Sequence, residues 1–247
     1  MRLFGLIGFP LGHSLSASFF EEKFIKEGLN DCTYKLFPLN EISGLNELIK
    51  ANSNLRGLNV TIPHKMGVLK FLDKIDPIAR QTEAVNCIRI SYTGSTFFLE
   101  GFNTDVLGFE NSLSPYLTTT HKKALILGTG GSSKAVAFAL NKLNIDFLFV
   151  SRKPVGKFQI GFPDLERYVG DHLLIINTTP VGMFPNIYDC PPIPYELLSD
   201  QHVLFDLIYN PQSTLFLRKG QKKGAIVVNG MEMFKIQAQK SWEIWNE

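Results

Sequence analysis

The sequence predicts an α/β protein of two domains, an N-terminal one with a mainly parallel sheet and a C-terminal Rossmann-type one. Three observations lead there. Short apolar runs alternate with segments of helical period along most of the chain. One run, Ala124 to Leu127, passes at once into Gly128-Thr129-Gly130-Gly131. A helical pattern follows, with Ala135, Val136, Ala139, Leu140 and Leu143 on one face. A single hairpin pattern around Gly94-Ser95 breaks the βα rhythm, and the helix after it carries the chain into a second unit.

Taken in order, residues 2–8 read as a buried strand and Gly8 to Ser16 as a turn. Ser18, with Glu21 three residues on, predicts a capping box for a helix whose apolar face is Phe20, Phe24 and Ile25. A strand over 33–39, a helix over 41–50 and a strand over Leu55–Ile62 follow. Pro63 ends that strand and suits the first position of a helix over His64–Phe71, which puts Lys65 in its first turn. A short helix comes after Asp76-Pro77, then the hairpin strands Val85–Tyr92 and Thr96–Leu99. Asn103 or Thr104 caps a helix through Leu107, Phe109 and Leu113, and the Ser/Thr-rich stretch Ser112–Thr120 is a loop. Beyond the glycine turn, strands are expected at Phe147–Val150, Leu173–Ile176, Val203–Leu207 and Ala225–Val228. An irregular connection with Pro154, Gly156, Gly161 and Pro163 replaces one helix. Thr214–Lys219 is a helix, and so is a last segment from about 231 to 245, with Phe234, Ala238, Trp242 and Trp245 on one stripe.

Composition narrows the function. The chain has 247 residues, 45% of them hydrophobic, and a net charge of +2. Its Lys and Arg are scattered, which argues against nucleic acid as a partner. Cys32, Cys87 and Cys190 are few, odd in number and without ligand spacing, and the five histidines form no metal-binding pair. No metal site is expected, and the cysteine usage fits a reducing, cytoplasmic setting. The apolar start imitates a signal peptide, but Gly5, Gly8 and Pro10 cut it, and a buried strand explains it better. No stretch reaches the length of a membrane span.

The glycine turn sits where a dinucleotide pyrophosphate is bound. Gly128 permits the tight turn, Gly130 lets backbone approach phosphate, and the N-terminal N–H groups of the helix face the anion. Ser133 fills the third small position. A plain strand-to-helix turn is the alternative. A site for NAD places an acid at the end of the next strand, roughly 20 residues on. Here that strand ends Ser151-Arg152-Lys153, and Asp146 lies at its other end. Two cations suit a 2′-phosphate, so the cofactor expected is NADP; a solvated charge pair is the alternative.

Polar residues cluster past the predicted strand ends of the first unit. The hydroxyls of Ser14 and Ser16 suit a carboxylate, and simple capping is the competing explanation. Asn59 and Thr61 alternate onto one side of their strand. Lys65 stands against the helix dipole, which points to a function or to a nearby carboxylate. Asn86 opens the hairpin, and Asp105 falls at a helix start, where capping is also common. Tyr209 and Gln237 complete the set, the latter beside an apolar stripe.

Together these residues resemble the shikimate dehydrogenase family, NADP-dependent oxidoreductases of chorismate and aromatic amino acid biosynthesis. The marks, in the family's order, are Gly8-Phe9-Pro10 through His13-Ser14-Leu15-Ser16, Asn59 to Lys65, Ala84-Val85-Asn86, Gly101 to Asp105, Gly128 to Ser133, Asn177 to Met183, Asp206 to Pro211, and Asn229-Gly230 with Gln237. The resemblance implies a substrate domain of residues 1–104 plus 231–247 and an NADP domain of residues 105–230, with a cleft between them and the last helix packed back on the first. It assigns the substrate carboxylate to Ser14 and Ser16 with Tyr209 nearby, the ring hydroxyls to Thr61, Asn86 and Gln237, and catalysis to the pair Lys65 and Asp105. Cofactor contacts fall on Gly128, Thr129, Gly130, Gly131, Ser132, Ser151, Arg152, Lys153, Thr178 and Gly230. The implied reaction is the reversible NADPH-dependent reduction of 3-dehydroshikimate to shikimate, by a monomer or homodimer.

The chain departs from the family pattern at Cys87, where Thr is usual, and at Phe102, where Asp is frequent. It also has Ser151-Arg152-Lys153 for Asn-Arg-Thr and a short segment from Lys153 to Asp171. Alternatives are a relative that accepts quinate or NAD, a folate dehydrogenase of similar layout, and a non-catalytic NADP or metabolite sensor. The serine pair and the Asn-Thr-Asp run count against the folate enzyme. Retention of both Lys65 and Asp105 counts against the sensor.

Overall fold

Side-chain alternation gives each of two sheets an apolar cluster on both faces. The structure is a computed structural model that describes residues 1–12 and 14–247. His13, part of the first motif, lies outside the described residues. The chain divides into two compact units, Met1–Thr104 with Ala238–Glu247, and Asp105–Gln237.

The first unit contains β1 (Arg2–Gly8), α1 (Ser16–Lys26), β2 (Cys32–Pro38), α2 (Leu45–Ala51), β3 (Leu55–Val60), β4 (Lys74–Ile75), α3 (Pro77–Thr82), β5 (Cys87–Thr93) and β6 (Thr96–Phe102). Its sheet runs β2-β1-β3-β5-β6-β4. β1 is parallel to β2 and β3, and the hairpin strand β5 is antiparallel to β3 and β6. Along β1, Leu3 and Ile7 face Leu45, Ile49 and Leu58, while Phe4 and Leu6 face Phe20, Phe24, Tyr34 and Trp245. Burying a ring such as that of Phe4 contributes about 2–3 kcal/mol. Trp245 stacks on Phe4 with ring centroids 5.0 Å apart and donates its indole N–H to the Ile88 carbonyl at 3.0 Å. Gly57 leaves room for that indole, which a Cβ would strike.

The second unit contains α4 (Asp105–Leu113), β7 (Lys123–Leu127), α5 (Gly131–Lys142), β8 (Asp146–Ser151), β9 (Gln159–Gly161), β10 (Leu174–Asn177), β11 (Val203–Asp206), α6 (Leu215–Gln221), β12 (Ile226–Val228) and the start of α7 (Met231–Asn246). Its six strands are all parallel, in the order β12-β11-β10-β7-β8-β9. Numbered from the first strand of the unit, this is the Rossmann order, with its switch point between β7 and β10. Ala124 and Ile126 pack on one side of β7, Leu125 and Leu127 on the other, as buried parallel strands require. Among the described residues, no helix is long and apolar enough to cross a membrane.

The structure differs from local expectation in three places. α1 begins at Ser16, not Ser18, and Ser18 sits inside the helix, donating to the Leu15 carbonyl at 3.0 Å. No helix starts at Pro63: Thr61 to His64 form a tight turn, closed by the His64 N–H on the Thr61 carbonyl, and the His64 ring bonds the Leu39 carbonyl. A one-turn helix follows only at Gly67–Phe71. Two short strands, β4 and β9, carry too few residues to show a period. The two compact units meet along the chain after Thr104 and again within α7, after Gln237.

Candidate active site

The cofactor side is built on the switch point. β7 delivers Gly128 with φ of +109°, a conformation that glycine adopts without strain. A Cβ there would press on the Thr178 hydroxyl and on Thr179, so the loop after β10 lies directly on the turn. Gly130 is the N-cap of α5, provides no side-chain cap and has open space where a Cβ would project. Backbone N–H groups there are accessible to a phosphate. Ser133 is fully buried and donates to the Gly130 carbonyl at 2.6 Å, which fits its place as the close-packing small residue. Thr129 is exposed, with Gly131 and Ser132 beside it.

At the end of β8, Ser151 accepts from the Lys153 N–H at 3.2 Å and so turns the chain. Arg152 and Lys153 are exposed and have no ion-pair partner among the described residues. The donors present, an open glycine turn and two uncommitted cations, fit a phosphorylated dinucleotide. Thr178 donates to the Leu127 carbonyl at 2.7 Å, and Gly230 packs so tightly on the Leu207 carbonyl that a Cβ has no room. Tyr209 lies against Phe234 with ring centroids 4.9 Å apart. Gln237 is half-buried, donates to the Phe234 carbonyl at 3.0 Å, and packs by its Cβ on Gly108 of α4.

The substrate side belongs to the first unit. β1 and β3 are parallel neighbours, so the loops after them open at the same end of the sheet, past the carboxyl ends of the strands. The Phe9 N–H bonds the Ile62 carbonyl at 3.0 Å and the Thr61 N–H bonds the Ile7 carbonyl at 2.9 Å, which stitches the two loops together. One loop carries Ser14 and Ser16, whose hydroxyls are 3.2 Å apart. Ser14 Oγ also accepts from the Ser16 N–H, so Ser14 has a structural task at the helix start as well. The other loop carries Thr61 and Lys65, both half-buried. Lys65 is held at its carbonyl by the Val85 N–H at 2.8 Å, one residue before Asn86. Asn86 bonds both the backbone and the side chain of Thr104. Asp105 follows as the first residue of α4 and is buried. The structure thus gathers Ser14, Ser16, Thr61, Lys65 and Asn86 in one unit. Asp105, Tyr209, Gln237 and the cofactor residues gather in the other.

Some of the framework is not visible in the sequence. Asn59 accepts from the Tyr34 hydroxyl at 2.9 Å and donates to Ser241 at 2.8 Å, so it braces the end of β3 from which the Lys65 loop leaves. Ser241 is fully buried on α7, and no local pattern marks it. Burial pushes the Cys87 thiol up to about 12 and makes it a packing residue. Phe102 receives the Arg89 guanidinium 5.4 Å from its ring centroid. The wholly buried Asp206 stands out in the sequence only as the start of a motif. A further signal is there: a carboxylate ending an apolar strand must find donors.

Comparisons with known proteins agree with this geometry. Residues 6–88 match the family model described as the shikimate dehydrogenase substrate binding domain. Shikimate dehydrogenase (NADP(+)) of Methanococcus aeolicus is 35% identical over 262 residues, covering 99% of this chain and 91% of the relative. A crystal structure of shikimate dehydrogenase 1 from Peptoclostridium difficile superposes with a TM-score of 0.86 at 35% identity, covering 100% of this chain and 92% of that one. The shikimate 5-dehydrogenase of Thermus thermophilus, in complex with NADP(H) and shikimate, gives a TM-score of 0.83 at 29% identity, covering 99% of this chain and 93% of that one. An end-to-end match at this identity, on a fold with the same two sheets and an open nucleotide turn, leaves one family: the chain belongs to the shikimate dehydrogenases.

Proposed function

We propose that this chain is an NADP-dependent shikimate dehydrogenase, catalysing 3-dehydroshikimate + NADPH + H⁺ ⇌ shikimate + NADP⁺. The observation that carries this reading is the pairing of β1 with β3, which sets the two serine hydroxyls and the Lys65 loop at one end of the sheet. A carboxylate and a reducible carbonyl on one small ring call for that combination. NADPH supplies the hydride. Gly128, Gly130 and the start of α5 hold its pyrophosphate, and Arg152 with Lys153 its 2′-phosphate. Ser14 and Ser16 bind the substrate carboxylate, with Tyr209 beside it. Thr61, Asn86 and Gln237 take ring hydroxyls. As charge builds on the carbonyl oxygen, the Lys65 ammonium stabilises it and delivers the proton. Asp105 orients that ammonium and offsets its charge. The enzyme acts in the cytoplasm as a monomer or homodimer.

The test is NADP⁺ reduction by the purified protein with shikimate, run beside quinate and beside NAD⁺. Turnover confined to shikimate with NADP⁺ is expected. Comparable turnover with quinate or NAD⁺ identifies a broader relative, and NADP⁺ binding without turnover identifies a sensor.

A further inference from the structure

Asp206 ends β11 with its side chain wholly buried, and none of its three hydrogen-bond donors is charged. Oδ1 accepts from the Asn177 side-chain amide at 3.0 Å and from the Ile208 N–H at 3.1 Å. Oδ2 accepts from the Thr214 hydroxyl at 2.6 Å. Burial pushes the carboxyl up to about 7, against the pull of those three bonds. An unpaired acid in a sheet core is costly, and an apolar residue would pack there at no such penalty.

What the carboxylate does is visible in where its donors lead. Asn177 ends β10, next to β7 across the switch point. Its side-chain Oδ1 accepts from the Thr179 N–H at 3.1 Å and from the Thr179 hydroxyl at 2.6 Å, and its side-chain amide also reaches the Val181 carbonyl at 3.3 Å. That closes the loop holding Thr178 and Thr179 on Gly128. The Ile208 N–H bond turns the chain after β11 toward Tyr209. In the same turn, the Ile208 carbonyl accepts from the Gly230 N–H at 3.1 Å, and the Leu207 N–H bonds the Asn177 carbonyl at 3.0 Å. One carboxylate therefore joins the loop after β10, the turn after β11 and, through Thr214, the start of α6. The two oxygens of this one group take all three donors at once.

We infer that Asp206 is a positioning residue for the dinucleotide, setting Thr178 and Gly230 around the glycine turn through Asn177 and Ile208. This rests on the cofactor assignment proposed above. Asp206 touches neither the turn nor the reacting atoms; it acts through its neighbours.

The test is NADPH affinity, followed by fluorescence titration in wild type, Asp206→Ala, Asp206→Asn and Thr214→Val, with steady-state shikimate oxidation beside it. Asp206→Ala is expected to raise the NADPH Kd about tenfold or more, and to lower kcat at saturating cofactor far less. It should also speed amide exchange at Thr178, Thr179 and Ile208 while leaving Leu125 and Ile126 protected. Asp206→Asn restores affinity to within about threefold, because its oxygen keeps two donors and its amide can donate to Thr214 Oγ1. Thr214→Val withdraws one donor from a site away from the turn, and is expected to weaken NADPH about threefold. It decides the matter if Asp206→Ala does not fold. Wild-type affinity in the Ala variant, or in Thr214→Val where the Ala variant is unfolded, overturns the inference. So does an Asn variant as weak as Ala. A wild type that binds NADPH but ignores shikimate overturns the substrate reading alone, and the variant affinities still decide this one. A wild type that does not bind NADPH overturns both.

Discussion

Asn86 grips Thr104 at two points: its side-chain amide donates to Thr104 Oγ1 at 2.8 Å, and its side-chain carbonyl accepts from the Thr104 N–H at 2.7 Å. Val60, the last residue of β3, donates its N–H to the Asn86 carbonyl at 2.8 Å. The end of β3, the start of the hairpin and the residue before Asp105 are thereby fixed together. Asn86→Ala leaves the buried Thr104 N–H without this partner. Stability should fall by about 2–3 kcal/mol in urea unfolding, and kcat/KM for shikimate about a hundredfold in steady-state assays.

Arg152 is the residue proposed to select the cofactor. It lies past β8 with no ion-pair partner among the described residues, so its fork is available to a phosphate. Arg152→Ala should raise KM for NADP⁺ roughly 10- to 100-fold and change KM for NAD⁺ by no more than about twofold. An equal loss for both cofactors would place the residue elsewhere in the site.

Two carboxylates give stability opposite dependences on pH. Asp206 has its folded value raised by burial from 3.8 to about 7. Its contribution is fully present below the unfolded value and is lost as pH rises through about 7. Relative to Asp206→Asn, the wild type should lose stability between about pH 4 and 8, by an amount on the order of 4 kcal/mol. For Glu100, burial pushes the value up, but hydrogen bonds and charge from Lys74 and Arg89 outweigh it and the net direction is down. Its contribution is present above the unfolded value and is lost as pH falls through the folded one. Glu100→Gln should flatten the acid side of the stability profile. Denaturant midpoints measured across pH for the three proteins check both signs.

Gly57 makes a packing prediction. The Trp245 indole occupies the space that a Cβ would take, and the indole N–H is already committed to Ile88. Gly57→Ala should destabilise by about 1–3 kcal/mol through overpacking. An unchanged thermal midpoint would mean that the C-terminal end of α7 is free to shift.

Legibility follows the range of the interaction. The glycine turn, the parallel strands and the hairpin can be read because each is written in local period and turn chemistry, as Ala124 to Leu127 before Gly128 shows. Pro63, a good first helical residue, predicts a helix that carries Lys65. The His64 bond to Leu39, made across 25 residues, bends the chain into a turn instead. The capping pattern points to Ser18, yet Ser14 bonds the first helical N–H, a choice of phase that the pattern alone does not settle. The bond between Asn59 and Ser241 spans 182 residues, and no single-chain pattern announces it.

Shikimate oxidation by the wild type and by Lys65→Ala, measured side by side with NADPH binding, tests most directly whether Lys65 delivers the proton. Turnover in the wild type, a loss of about a thousandfold in kcat in the variant, and equal NADPH affinity in the two are expected. Turnover in Lys65→Ala close to that of the wild type would contradict that role, because the proton would then come from another group.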